Sequence, residues 1–205
     1  RMEANPRIGT TSGKPWFEHP RSGALVPEVC GDEMSVGMTK FYRRSCFTEL
    51  GGFVEQVMWD GIDCHRARMH GWLAESVNDP ALRFLHLRPQ GASHKGLWTG
   101  RARAGFGQYF MGTAPLYYLA SAVFRALDHP PIVGSLAMLW GYTRSALRRL
   151  PRYDEPGFRA FLRRYQYACL LRGKAAATAR LNEEQRPVWD AAHPRLVEGS
   201  HRADR

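Results

Sequence analysis

The chain has 205 residues, with 29 Lys and Arg against 19 Asp and Glu, so its formal net charge is +10 at pH 7. This length is sufficient for one domain with a buried core, and the charge favours a phosphate-bearing partner: nucleic acid, a lipid head group or a diphosphate substrate. The four cysteines include no CxxC pair. Their spacing argues against a disulfide scaffold or a four-cysteine zinc site and favours a reducing, cytosolic compartment.

Three segments of the first ninety residues have the pattern of strands. Residues 1–32 mix Gly and Pro with short apolar runs, which is typical of strand, turn and strand. A further strand is expected over 37–42. Residues 82–87 (LRFLHL) predict a buried strand that ends before Pro89.

Two helices are expected between these strands. The first covers 45–50, with Ser45 as its N-cap and a glycine pair, 51–52, as its stop. The second begins after Asp60, which serves as its N-cap, and ends at Gly71.

The second half of the chain predicts a basic loop followed by helices. Residues 91–109 are rich in Gly and basic residues, and the apolar stretches 109–127 and 131–147 predict two helices. Each stretch is bounded by an arginine, which favours core or interfacial helices over membrane spans. An arginine-rich helix is expected over 158–181, and the remaining residues, from 187, form a polar tail.

An ordered series of short motifs runs through the first half of the chain: FYRRSCF (41–47), LGGF (50–53), WDGID (59–63), RAR (66–68) and GW (71–72). This series resembles the second half of family 2 glycosyltransferases. In that family a basic pair and a GG-aromatic segment precede an acidic pair, an Arg and a Gly-aromatic pair. Residues 5–13 also resemble the family's strand after the metal site, so the resemblance extends from about residue 1 to about residue 110.

The resemblance implies an α/β fold: a partial nucleotide-diphospho-sugar transferase fold, with a short mixed sheet and helices, followed by C-terminal amphipathic helices. Residues 1–108 would form the acceptor-side half of a catalytic domain. Residues 109–186 would be apolar and basic helices at a membrane interface, and residues 187–205 a polar, flexible tail. The implied activity is inverting transfer of a sugar from a nucleotide-sugar to a glycan or lipid-linked acceptor, as in polysaccharide biosynthesis.

The implied catalytic base is Asp60, which falls on the second acidic position of the family's pair, while Trp59 replaces the first. From periodicity alone Asp60 would be a simple N-cap, and the family spacing reverses that preference. A helix N-terminus also favours a negative charge, by about 0.3–1 kcal/mol at exposed positions. Asp63, one turn on, either hydrogen-bonds the acceptor sugar or pairs with Arg66 or Arg68, and the pairing is favoured.

The remaining candidate residues would bind substrate. Trp59 has a ring that can stack on a sugar. The basic loop would neutralise the leaving diphosphate, although a solvated basic loop is an equal alternative. Its candidate residues are Arg88, His94, Arg101 and Arg103.

The resemblance implies a divalent metal, Mg or Mn, in the full-length enzyme, held by a DxD motif. The sequence contains no DxD motif, so its ligands are expected to lie outside this chain, which has the character of a fragment without activity of its own. A zinc site on Cys64, His65 and His70 is disfavoured, because the two histidines are five residues apart and do not share a helical face.

Two other classes of function compete with the transferase. Residues 144–186 hold eleven Lys and Arg against four acidic residues, which is compatible with nucleic-acid binding. That class is disfavoured because it leaves the motifs of 41–72 unexplained. The same basic residues would also suit a non-catalytic protein on an anionic membrane surface. For the transferase, the expected location is the cytoplasmic face of the inner membrane, as a peripheral or interfacial protein.

Overall fold

The computed structural model describes residues 1–19, 22–28, 30–87, 96–127 and 132–196. It has a mixed α/β fold, as the sequence predicts, with two small mixed sheets and helices. The chain divides into two compact units. Unit 1 comprises Arg1–Val54, Trp59–His86 and the chain from Ala175 onward, and unit 2 comprises Glu55–Met58 and Leu87–Lys174.

Unit 1 contains both sheets. The strands are β1 (Ile8–Gly13), β2 (Pro15–Glu18), β3 (Leu25–Pro27), β4 (Phe41–Tyr42), β5 (Leu73–Val77) and β6 (Phe84–Leu85). One sheet has the order β4-β1-β5, in which β1 is antiparallel to β4 and parallel to β5. The other has the order β3-β2-β6. Strand β1 is therefore the central strand of the first sheet. It lies between β4, where the motif FYRRSCF begins, and β5, which directly follows the motif GW.

Among the described residues, the helices that accompany these sheets are α1 (Arg44–Glu49), α2 (Trp59–Met69), α7 (Lys174–Glu184) and α8 (Arg186–Ala192). Helices α1 and α2 both pack against β1. The core beside them is formed by Cys46, Leu50, Ala67, Trp72 and Trp189. The Trp72 and Trp189 rings meet edge to face with their centroids 5.7 Å apart, so α8 is part of this core. The structure thus differs from the expected polar tail after 186, because Trp189 buries its ring.

The predicted strands and caps of unit 1 need several corrections. The strand expected over 37–42 is a 3-10 turn, Gly37–Thr39, followed by the two residues of β4. The strand expected over 82–87 shrinks to β6, because Pro80–Leu82 form a 3-10 turn that Asp79 caps. Ser45 lies inside α1, which starts at Arg44 without a side-chain cap.

Unit 2 is helical, with α3 (Leu97–Met111), α4 (Pro115–Phe124), α5 (Val133–Leu147) and α6 (Phe158–Arg172). The predicted basic loop 91–109 is wrong from Leu97 onward, where α3 begins, and the predicted domain boundary after residue 108 falls inside that helix. The expected helix 158–181 is interrupted at Gly173, whose φ of 78° suits a residue without Cβ.

Two glycines explain why a glycine-rich segment is helical here. A Cβ atom on Gly105 of α3 would lie 2.0 Å from the carbonyl oxygen of Met138, and one on Gly141 of α5 would lie 2.0 Å from that of Ala102. These glycines therefore serve close contact of α3 with α5 rather than the backbone freedom of a loop. Within the part of the chain that the structure describes, no helix is both long and apolar enough to traverse a bilayer.

Candidate active site

The first turn of α2 carries Trp59 and Asp60. Asp60 is the second residue of the helix, so the prediction that it is the N-cap is wrong by two positions. Its carboxylate accepts hydrogen bonds from two peptide N–H groups, at 2.9 Å from Gly61 and at 3.4 Å from Gly37. The side chain is only half-buried. Asp60 thus offers an oriented carboxylate at the positive end of a helix, within reach of solvent.

Gly37 is fitted closely to this turn. A Cβ atom there would lie 2.8 Å from the Trp59 ring and 3.3 Å from the Cβ atom of Asp60. The absence of a side chain at position 37 lets its peptide N–H approach the Asp60 carboxylate.

Asp63 lies one turn further and is buried. Its Oδ2 accepts a hydrogen bond from the Tyr42 hydroxyl at 2.5 Å and lies 3.8 Å from Lys40 Nζ. The prediction that Asp63 pairs with Arg66 or Arg68 on a helix surface did not include these two partners, and the charge of Arg66 also acts on Asp63. The guanidinium groups of Arg66 and Arg68 also donate to backbone carbonyls, Arg66 to Gly52 at 3.4 Å and Arg68 to Ala74 at 3.1 Å. Burial raises the pKa of Asp63, and the Tyr42 hydrogen bond and the Lys40 charge oppose that rise.

Lys40 connects the start of β4 to α2. Its side chain is 1% exposed, and its ammonium donates to the backbone carbonyl of Asp60 at 3.0 Å. The same ammonium lies 5.1 Å from the centre of the Tyr42 ring and 5.5 Å from that of the Trp59 ring, which are cation–π distances. Lys40 therefore holds the turn that carries the candidate base.

Lys40 and Tyr42 are not among the residues predicted for the site, although the sequence contains a signal for them. Positions 40 and 42 are two residues apart in an extended segment, so their side chains point to the same face of the sheet. The structure places that face against α2, where the two side chains meet Asp63.

Trp59 belongs to a cluster of four aromatic rings that also includes Tyr42, Phe47 and Phe53. The Phe53 and Trp59 centroids are 5.0 Å apart in an edge-to-face contact, and Phe53 contacts Tyr42 and Phe47 in the same way. Trp59 is half-buried and Phe53 is exposed. The role of Trp59 in stacking on a sugar stays a prediction.

The structure brings Trp59, Asp60 and Asp63 together on α2. Arg101 and Arg103 belong instead to unit 2, on helix α3, where Arg103 is exposed and Arg101 is half-buried close to Gly134. The predicted residues Arg88 and His94 lie outside the described residues, and substrate binding by all four stays a prediction.

The described ranges contain no group of three or more His, Cys, Asp or Glu side chains that could hold a metal ion. Of the disfavoured zinc ligands, Cys64 is buried with its Sγ 3.3 Å from the Ser35 hydroxyl, and His70 Nδ1 lies 3.1 Å from a Glu49 carboxylate oxygen.

Comparison of the chain with protein-family models, with curated proteins and with solved structures finds no match.

The raised pKa of Asp63 predicts a particular dependence of stability on pH. Because the folded state holds the Asp63 proton more tightly than the unfolded state, it binds more protons between the ordinary pKa of 3.8 and the raised value. The free energy of unfolding of the wild type should therefore fall, relative to that of Asp63→Asn, as the pH rises through this window. Urea unfolding of both proteins at several pH values measures the free energy of unfolding of the wild type minus that of Asp63→Asn. A value that stays constant or grows with pH would show that the folded state does not raise the pKa of Asp63.

Proposed function

We propose that the chain is the acceptor-side part of an inverting glycosyltransferase in which Asp60 is the general base. One observation carries the choice of residue. Asp60 is half-buried at the first turn of α2, where a substrate hydroxyl can reach it. Asp63 is 1% exposed, and its carboxylate accepts the hydrogen bond of the Tyr42 hydroxyl. The finer fold proposed with this function is a partial nucleotide-diphospho-sugar transferase fold, and the sheet β4-β1-β5 with α2 packed against it supports that proposal.

The proposed step is a single displacement at the anomeric carbon of the donor sugar. The acceptor hydroxyl transfers its proton to the Asp60 carboxylate as its oxygen forms the new bond to that carbon. The bond from the same carbon to the diphosphate oxygen breaks on the opposite face, and the nucleoside diphosphate leaves with the electron pair. Attack from the face opposite the leaving group inverts the anomeric configuration.

In this proposal Gly37, Lys40 and Gly61 orient the base. The N–H groups of Gly37 and Gly61 point at the two carboxylate oxygens, and Lys40 fixes the backbone carbonyl of Asp60. A carboxylate held in this way needs little rearrangement to accept a proton, which is the usual contribution of positioning to catalysis.

A metal site for the donor diphosphate is not found among the described residues. The sequence has no DxD motif, and no suitable cluster occurs among the residues that the structure describes. A divalent ion would stabilise the charge of the leaving group when bound, but no step of the proposal passes through it. We therefore expect the 205 residues by themselves to show little or no turnover of nucleotide-sugars.

Transfer assays on two proteins test this function. The product of the complete reading frame is compared with the 205-residue chain, using a panel of nucleotide-sugars with glycan and lipid-linked acceptors. We expect acceptor-dependent release of nucleoside diphosphate, with an inverted anomeric centre in the product, from the former only. Robust turnover by the 205-residue chain, or a product with retained configuration, would overturn the proposal.

A further inference from the structure

Helices α4 and α5 of unit 2 each expose a row of large apolar side chains. On α4 the row is Leu116, Leu119 and Val123, and on α5 it is Val133, Leu136 and Trp140. Both rows have the spacing i, i+3, i+7, which places the side chains on one face of a helix. Phe124 and Leu147, each 83% exposed, extend the two rows at their C-terminal ends.

The opposite faces of the two helices pack inside unit 2. Tyr118 of α4 stacks on Tyr142 of α5 with the ring centroids 4.6 Å apart, and both rings are buried. Met138 and Tyr109 complete this small core. Because the core already uses one face of each helix, the exposed rows are not needed to hold unit 2 together.

Along the chain from Gly96 to Leu150, which includes both rows, the Asp, Glu, Lys and Arg residues that the structure describes are all arginines. Between Gly96 and Leu150 the sequence has six arginines and one acidic residue, Asp128, which lies outside the described residues. Arg125 directly follows α4, and Arg144 lies one turn after Trp140, and both are exposed. Leu147 is followed by two exposed arginines, 148 and 149.

From these observations we propose that α4 and α5 dock on the surface of an anionic lipid bilayer. Apolar rows that contain Trp, Leu and Phe beside arginines suit the boundary between acyl chains and negatively charged head groups. At 10 and 15 residues the helices are shorter than the about 20 residues needed to cross the hydrocarbon, so they would lie along the surface.

The charge pattern favours lipid over a second copy of the chain. Self-association through these rows would bring arginines of two copies together with no carboxylate among the described residues of 96–150 to neutralise them, and like charges that face each other oppose binding. An anionic bilayer instead neutralises them. The proposal goes beyond the proposed transferase and does not depend on it, because docking needs no catalytic group.

Binding of the 205-residue chain to vesicles tests the proposal. The vesicles are phosphatidylcholine alone or phosphatidylcholine with about 30% phosphatidylglycerol, and binding is measured by flotation. We expect the chain to bind the anionic vesicles and to lose most of that binding at about 0.5 M salt, where exposed charges are screened. Failure to bind anionic vesicles at low salt would overturn the proposal.

A pair of double variants tests the surface itself. Leu119→Ser with Leu136→Ser should weaken the partition coefficient on the order of tenfold or more, because two apolar side chains no longer enter the bilayer. The matched control is Leu25→Ser with Leu82→Ser in unit 1. Its leucines are 60% and 50% exposed, against 50% and 52% for the test pair. The control should bind as the wild type does.

A third variant tests the charges. Arg125→Gln with Arg144→Gln should weaken binding by about fivefold for each charge removed, on anionic vesicles only. Light scattering of every variant reports the oligomeric state. If the leucine variant turns a dimer into a monomer and leaves vesicle binding unchanged, the rows bind a second copy of the chain and the proposal is wrong. Equal weakening by the leucine variant and by its control would overturn it as well.

Discussion

Replacing Asp60 by Asn is expected to lower kcat for sugar transfer by about 10²-fold or more, with donor affinity nearly unchanged. The amide has the size of the carboxylate, and its oxygen can still accept from the N–H of Gly61 or Gly37, so the turn should keep its shape. It cannot take a proton from the acceptor hydroxyl. Initial rates and donor binding, measured on the product of the complete reading frame, separate loss of the base from loss of binding.

Asp79→Asn is the matched control for this substitution. Asp79 is an exposed carboxylate of unit 1 that also accepts from a peptide N–H, that of Ala81 at 2.8 Å, at the start of a 3-10 turn. This variant should keep the wild-type rate. A wild-type rate in Asp60→Asn, or an equal loss in both variants, would contradict the assignment of the base.

Replacing Lys40 by Met is expected to lower the free energy of unfolding by about 3–5 kcal/mol, since it leaves a buried carboxylate without its cation. Both side chains of the Lys40–Asp63 pair are 1% exposed. The substitution also removes the hydrogen bond to the Asp60 carbonyl and the contact with the Trp59 ring. In the Asp63→Asn background the same change should cost about 1–3 kcal/mol less, because the carboxylate is no longer there.

The exposed pair of Arg180 and Glu184, spaced i and i+4 on α7, is the control for this double-mutant cycle. Its side chains are 58% and 37% exposed, so the coupling between Arg180→Met and Glu184→Gln should be about 0.5 kcal/mol or less. Urea unfolding at pH 7 measures both cycles. Equal coupling in the two pairs would mean that burial does not strengthen the contact of Lys40 with Asp63.

The sequence predicted the elements whose signals are local. The segment IGTTSG became β1, and Gly51 and Gly52, with φ of 69° and 86°, stop α1 as expected. A helix was expected to begin after Asp60, and α2 begins one residue before Asp60, at Trp59. In each case the pattern depends on neighbours in the chain, which a sequence shows directly.

What the sequence did not show depends on contacts between distant segments. The buried environment of Asp63 arises because Lys40, directly before β4, and Tyr42 of β4 contact α2. The spacing of residues within α2 does not predict that contact. Gly105 appeared to be a loop residue because glycine usually disfavours a helix. Its close approach to Met138 of α5 exists only in the folded chain.

Of the two carboxylates of α2, Asp60 and not Asp63 is proposed to remove the acceptor proton. Single-turnover rates of Asp60→Asn and Asp63→Asn, measured side by side at saturating donor and divided by the folded fraction, distinguish the two. We expect a loss of about 10²-fold or more for Asp60→Asn and a rate close to that of the wild type for Asp63→Asn. An inactive Asp63→Asn beside an active Asp60→Asn would disprove the assignment and move the base one helical turn along α2, to Asp63.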